Sequence, residues 1–201
     1  MPRANRYMLP GCLYHLTHRC HDRGFLLRFA RDRDEYRRRL RRRLAGSRCA
    51  VLNYAITSNH VHLLLRGQDP GAVSTLMQRV QGEFALHYNT RKERKGAFWD
   101  GRFGCTMVQG ESHFWNCMRY VDLNMARAGV VDHPSDWRWC GYQELTGRRT
   151  RFRILDIREV LAAGGIGSVE ALQAQYGETI EAAFRRGRLA REPMWTESIA
   201  V

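Results

Sequence analysis

Residues 49 to 67 constrain the chain most. “CAVLNYAIT” (49–57) and “HVHLLLRG” (60–67) are two apolar, strand-like runs separated only by Ser58 and Asn59. Two such runs joined by two residues predict a β-hairpin, and so an antiparallel sheet in the first half of the sequence. The second run opens with two histidines one residue apart. Residues i and i+2 of a strand point to the same face, so His60 and His62 project side by side while Val61 turns away.

The flanking segments alternate between strand and helix periodicity. “CLYHLTHRC” (12–20) is a first strand. “RDEYRRRLRRRLAG” (33–46) puts Tyr36, Leu40 and Leu44 on one side of a helix that Gly46 can stop. “DPGAVSTLMQRVQGEFALHYNTRKERK” (69–95) is a long helix, with Asp69 as its cap and Pro70 at its first position. Its buried stripe is Val73, Leu76, Met77, Val80 and Phe84. “RFGCTMVQG” (102–110) is a fourth strand, and “ESHFWNCMRYVDLNMARAG” (111–129) a helix ended by Gly129. The order βαββαβ predicts an α+β, ferredoxin-like (RRM-like) sheet. Past residue 130 come “HPSDWRWCGYQELTG” and a tail of short amphipathic helices interrupted by “AAGGIGS”. We divide the chain into a domain of residues 1–130 and a Trp/Arg-rich, helical C-terminal extension, 131–201.

The chain has 201 residues, a size for one domain with an appendage, and is 44% hydrophobic, enough for a core. Lys and Arg number 33 against 20 Asp and Glu, a formal net charge of +13. That excess suits a polyanionic partner through counterion release from phosphates. The basic residues concentrate in residues 28–44, 91–95 and 147–153. One charge run is ordinarily a solvated helix face, whereas three in a small chain predict a basic surface. The six cysteines form no CxxC pair, which argues against a zinc ribbon or redox motif. No secretory signal core and no apolar run of the ~20 residues of a membrane span is present. A cytoplasmic protein with idle thiols and no membrane partner is expected.

Two neutral imidazoles on one strand face can bind one metal ion. They can equally be a hydrogen-bonded pair in a half-buried sheet, and the motif by itself leaves both open. The helix from 111 to 127 adds chemistry. At ~100° per residue, His113, Asn116, Tyr120, Asn124 and Arg127 fall within an arc of about 80°, beside an apolar stripe of Phe114, Met118, Val121 and Met125. A mid-helix tyrosine with polar neighbours on both sides is odd for a packing role. A metal held by two imidazoles and an amide oxygen would polarise a phosphate as a Lewis acid. A tyrosine hydroxyl nearby could then take a 5′-phosphate as a covalent ester. The ester keeps the phosphodiester's energy, so a 3′-hydroxyl can reverse the step, which is strand transfer rather than hydrolysis.

These segments resemble the HUH single-tyrosine transposases, most closely the REP-associated tyrosine transposases of bacteria. “NHVHLLL” matches the family's His-hydrophobic-His strand, and “MRYVDLNMARAGVV” its nucleophile helix, often RYIHxNPVRAGLV. “YHLTHRCHDRGFLLR” is similar to its first strand and loop, usually YHVTxRGxxRxxIF, and “FWDGRF” and “DWRWCGYQEL” match two further segments. The likeness covers roughly residues 10 to 146. It implies that His60 and His62 are metal ligands, that Asn124 completes the site, that Tyr120 is the nucleophile and that the metal is Mg²⁺ or Mn²⁺. The implied substrate is single-stranded DNA carrying a hairpin, a REP-like palindrome, nicked beside its base. Met125-Ala126 replaces the common Pro-Val, and “RCHDRG” departs from the usual loop, which affects carried-over hairpin contacts and not the chemistry.

By residue type, Arg23, Arg28, Arg102 and Arg127 could reach phosphates, and Trp99, Phe103 and Trp139 could stack on unpaired bases. His15 and His18 sit three apart and are structural or DNA-facing rather than ligands. Two alternatives stand beside this reading. One is a non-catalytic hairpin-binding protein on the same fold. The other is a metal phosphoesterase that uses water on RNA or a small ester and has no need of Tyr120. Single-tyrosine relatives include dimers that exchange the nucleophile helix, and the C-terminal extension favours a monomer here.

Overall fold

In the computed structural model, which describes residues 8–185, one antiparallel sheet organises the chain. Its strands are β1 (Leu13–Arg19), β2 (Cys49–Ile56), β3 (His60–Gly67) and β4 (Gly104–Val108), in the spatial order β2-β3-β1-β4. Helix α1 (Ala30–Leu44) links β1 to β2, and α2 (Ala72–Arg91) links β3 to β4. This is the ferredoxin-like α+β arrangement, with β1 and β3 central. After β4 come α3 (Glu111–Asp122), α4 (Asn124–Arg127), α5 (Tyr142–Leu145), α6 (Ile157–Gly164) and α7 (Val169–Arg185). No described helix is long and apolar enough to cross a membrane.

Strand alternation assigns the two faces. Gly67 faces α2, where an added Cβ would lie 2.8 Å from Val73 Cγ2; only glycine lets the helix start so close to the sheet. Val61, Leu63 and Leu65 share that face and are buried. The alternate residues His60, His62, Leu64 and Arg66 face the other way, towards α3, α4 and α6: Asn124 reaches His62, and Arg66 pairs with Glu159 at 2.5 Å. The sheet is therefore sandwiched between α1–α2 and the later helices.

Three expectations need correction. Helix α2 begins at Ala72 with Gly71 as its cap at φ 78, while Asp69 pairs with Arg48 at 2.5 Å instead of capping. The expected helix 111–129 is two helices meeting at Leu123, so Asn124 opens α4 instead of continuing α3. The basic run of α1 is not an unpaired face: Arg31, Arg38, Arg41 and Arg42 are exposed, but most of its arginines meet carboxylates. Arg38 and Arg39 pair with Glu35 at 2.6 and 2.5 Å, Arg42 and Arg43 with Glu83 of α2, and Arg37 with Glu144 at 3.2 Å. Arg33 is buried over the rings of Trp137 and Trp139, at 4.6 and 3.9 Å from their centroids.

The segment after residue 130 covers the free edge of β2. Ile56 N–H donates to Trp139 O (2.8 Å), Trp137 Nε1 to Ile56 O (3.1 Å) and Gly141 N–H to Tyr54 O (2.9 Å). An open strand edge invites pairing with another chain, and this covering removes it. A buried polar knot ties the same region to α3. Asp122 accepts from Asn53 Nδ2 (3.1 Å), the Tyr176 hydroxyl (2.5 Å) and the Tyr142 amide (3.1 Å). Asn53 lies at a β2 bulge, which turns its side chain into the knot. Burial pushes the Asp122 carboxyl up to about 7 against these donors. The six cysteines are free thiols.

Candidate active site

The site forms where β3 begins, under the junction of α3 and α4. The β1–β3 register sets Thr17 opposite His62 and Arg19 opposite His60, so all four side chains share one face. His60 and His62 lie with ring centroids 4.7 Å apart, at 82° to each other. Each ring has its Nδ1 engaged. Asn59 Oδ1 lies 2.7 Å from His60 Nδ1, and the Thr57 hydroxyl 3.0 Å from it. A carbonyl oxygen only accepts, so Nδ1 of His60 carries the proton and Nε2 the lone pair.

His62 is fixed in the same sense. Asn124 Nδ2 lies 3.1 Å from His62 Nε2, and with its amide N–H turned to the ring Nε2 is the acceptor. His62 Nδ1 then donates to His15 Nε2, 3.0 Å away. Burial holds the His62 imidazole well below the usual histidine range, helped by neighbouring His60, His15, Arg19 and Arg127. Burial likewise lowers His15 to about 4, with His113 adding to the effect. His62 is thus a neutral ring, the form that binds metal ions.

Tyr120 closes the site. Its ring stands edge-on to His62 at 5.5 Å and 87°, and edge-on to His15 at 5.8 Å. The apolar stripe Phe114, Met118, Val121 and Met125 is buried against the sheet, which fixes the rotation of the helices and leaves Tyr120 and Asn124 half-buried at the histidines. Arg127 packs its guanidinium 4.2 Å from the centre of the Tyr120 ring and donates to the Tyr120 carbonyl at 2.8 Å.

The expected residues therefore divide into two groups. His60, His62, Tyr120, Asn124 and Arg127 come together. Arg23, Arg28 and Arg102 are exposed on loops at the β1–β3 end of the sheet. Trp99, Phe103 and Trp139 are buried in the core and are closed to base stacking. Trp99 stacks on His18 at 4.2 Å and donates to Gln81 O, and Trp139 donates to Asp34. Three supporting residues escaped sequence reasoning, Thr57 and Asn59 behind His60 and exposed Arg19 across from it, while His15, expected as structural or DNA-facing, stands behind His62. The i, i+2 spacing of His15 and Thr17 was the available signal, and only the strand register gives it meaning.

The residues fit a divalent ion as two imidazole nitrogens and an amide. The Asn124 amide carries an oxygen as well as a nitrogen, and rotation about its last bond exchanges them. Among the described residues no group of three or more His, Cys, Asp or Glu is disposed to hold a metal, so any site here depends on that amide. Two imidazoles and an amide oxygen suit a hard or borderline ion that keeps waters.

The sequence profile of the IS200-like transposases matches residues 9–124, from the segment before β1 through Asn124. The chain belongs to the IS200-like transposase family. The matched span contains His60, His62, Tyr120 and Asn124. Among solved structures, this transposase is similar to a REP-associated tyrosine transposase bound to a REP hairpin. The two share 17% identity and a TM-score of 0.61, over 74% of this chain and 87% of that one. A Deinococcus radiodurans protein assigned as a transposase aligns over 57% of this chain and 92% of its own, at 15% identity and a TM-score of 0.42. No curated protein matches the transposase.

Proposed function

We propose that this transposase nicks and rejoins single-stranded DNA beside REP-type hairpins, in a bacterial cytoplasm, with Tyr120 as nucleophile and Mg²⁺ or Mn²⁺ held by His60, His62 and Asn124. The observation that carries the reading is the edge-on seat of Tyr120 against His62, 5.5 Å between ring centres. Tyr120 and Asn124, one helical turn apart, thereby meet the same His62 ring. The REP hairpin bound by the similar transposase supports the choice of substrate.

In this reading the Tyr120 hydroxyl oxygen attacks a backbone phosphorus in line. The Tyr–O–P bond forms and the P–O3′ bond breaks. The phenol proton leaves to solvent, and the 3′-oxygen departs as a hydroxyl. A bound Mg²⁺ or Mn²⁺ supplies Lewis-acid charge at the phosphate. Asn59 and Thr57 hold the His60 ring, and His15 holds the His62 ring. Arg127 fixes the Tyr120 ring and carries positive charge beside the incoming phosphate. Attack by a 3′-hydroxyl on the phosphotyrosine reverses the bonds and joins a strand. Tyr120 meets the histidines of its own chain, which favours a monomer acting in cis.

The test is incubation of the protein with hairpin-bearing single strands and Mn²⁺. A protein–DNA adduct that survives denaturation is expected, and it disappears in Tyr120→Phe. Cleavage that persists in Tyr120→Phe would mean hydrolysis by water. Hairpin binding with neither adduct nor cleavage would leave a binding protein on a transposase fold.

A further inference from the structure

Among the described residues the exposed large aromatic rings are phenylalanines, Phe152 on a later loop and two near the site. Phe25 is 66% exposed and Phe29 48%, on the loop between β1 and α1. Neighbouring Leu27 is fully buried and Leu26 half-buried, so the loop turns its leucines in and its phenylalanine out. The exposure does not come from a slack loop. Cys20 N–H donates to Asn59 O (2.8 Å), His21 N–H to Phe98 O (2.9 Å) and Leu27 N–H to Ser58 O (2.9 Å), and Asn59 Nδ2 donates to Arg23 O (3.2 Å). Within it, Arg28 N–H closes a turn onto Phe25 O at 3.2 Å. The loop is thus fastened to the 57–60 corner whose Thr57 and Asn59 hold His60.

The surroundings of these rings are cationic. Arg23 and Arg28 are exposed on the same loop. Arg28 lies 5.0 Å from the centre of the Phe29 ring, and Lys92 of the α2 end 5.2 Å from it. The loop's one carboxylate, Asp22, is paired with His21 at 3.1 Å. A large ring in water forgoes the burial that normally stabilises it. A ring bracketed by arginine and lysine, as Phe29 is, with Phe25 beside it on the same basic loop, is a poor seat for an apolar protein surface. The two rings match a chain that offers phosphates and flat π faces together, as unpaired nucleic acid does.

We propose that Phe25, flanked by Arg23 and Arg28, is a stacking platform for an unpaired base of the strand that leads to His60. The inference rests on the single-stranded DNA reading above and adds where the unpaired flank is gripped. Phe25 touches no reacting atom, so its loss weakens the hold on the flank and leaves the chemistry of bound DNA intact.

The experiment measures affinity of the full chain, by fluorescence anisotropy, for two labelled DNAs: a hairpin with unpaired flanks and the same hairpin cut blunt. Because Phe25 is exposed, Phe25→Ala leaves the fold in place. Stacking is worth enough that Phe25→Ala should lose about tenfold in affinity for the flanked DNA, with the blunt hairpin unchanged and Phe25→Trp like the wild type. Abasic sites in the flank should reproduce the loss in the wild type and add nothing in Phe25→Ala. Equal loss on both DNAs, no loss on either, or a full further loss from abasic sites in Phe25→Ala would each overturn the platform. So would a dimer of the wild type that Phe25→Ala dissociates, because the patch would then belong to a second copy. Adduct formation by wild-type protein is scored separately. An adduct with an indifferent Phe25 defeats only the platform, and a flank-specific Phe25 effect without an adduct defeats only the nuclease.

Discussion

His15 lies flat against His62, the two rings 5.1 Å apart and within 12° of parallel, with His15 Nε2 3.0 Å from His62 Nδ1. The contact fixes which nitrogen of His62 looks towards Asn124. Outer partners of this kind set the tautomer and aim of a metal-binding imidazole. In His15→Ala the Nδ1–H of His62 loses its acceptor and the ring its support. Mn²⁺ affinity, followed by titration calorimetry, should fall about 10- to 100-fold, with a separate loss of stability from the unpaired buried donor. His15→Gln keeps an acceptor at that side and should restore part of the affinity. Equal Mn²⁺ binding in all three proteins would show that His15 merely fills space.

Asn124 is the amide at His62 whose oxygen could join the two imidazoles as a ligand. Asn124→Ala removes that oxygen and should weaken Mn²⁺ binding by at least about tenfold. Asn124→Asp supplies a charged oxygen at the same reach and should bind Mn²⁺ at least as well as the wild type. The readout is Mn²⁺ affinity without DNA, so loss of binding is separated from loss of turnover. An Asn124→Ala protein with normal affinity would remove the amide from the ligand set.

The knot around Asp122 holds the helix that carries Tyr120. Asp122→Ala leaves the Tyr142 amide without an acceptor in a dry interior, and Asn53 Nδ2 and the Tyr176 hydroxyl with Met118 O alone. The expected cost is about 3 kcal/mol of unfolding free energy, read as a lower urea midpoint. Asp122→Asn retains one accepting oxygen and should cost less. If Asp122→Ala unfolds at the wild-type midpoint, the later helices do not brace α3 through this carboxylate.

The local part of this architecture was legible in the sequence. The His60–His62 alternation, the 58–59 turn and the stripe of α3 depend on periods of two and 3.6, which a sequence displays directly. The parts that were hidden depend on pairing between distant segments. His15 meets His62 only because β1 and β3 run antiparallel in one register. The arginines of α1 looked like a binding face because their partners, Glu83 and Glu144, lie on other elements. Trp99 and Trp139 looked available for bases because aromatic type does not reveal depth, while Phe25, with the same chemistry, was passed over. Asp69 carried a capping residue's credentials, yet the positive φ that Gly71 accepts let the helix start later.

Arg127, at the end of α4, is an arginine whose placement the structure makes specific. Its guanidinium plane covers the Tyr120 ring, and the same side chain donates to the Tyr120 carbonyl. The two contacts restrain both the ring and the backbone that carries it, and in the proposed reaction the charge would stand beside the phosphate that Tyr120 attacks. Arg127→Ala removes all three effects. The rate of adduct formation at saturating DNA should drop by roughly tenfold or more, since a stacked cation alone accounts for about 0.5–2 kcal/mol. Arg127→Lys keeps the charge but lacks the flat face and the forked donors. If charge is what matters, the lysine protein recovers most of the rate, and if ring placement is what matters, it stays near the alanine protein. Single-turnover adduct kinetics on both variants, with DNA affinity measured alongside, separate the two. An Arg127→Ala rate equal to wild type would mean that Tyr120 keeps its position without the guanidinium.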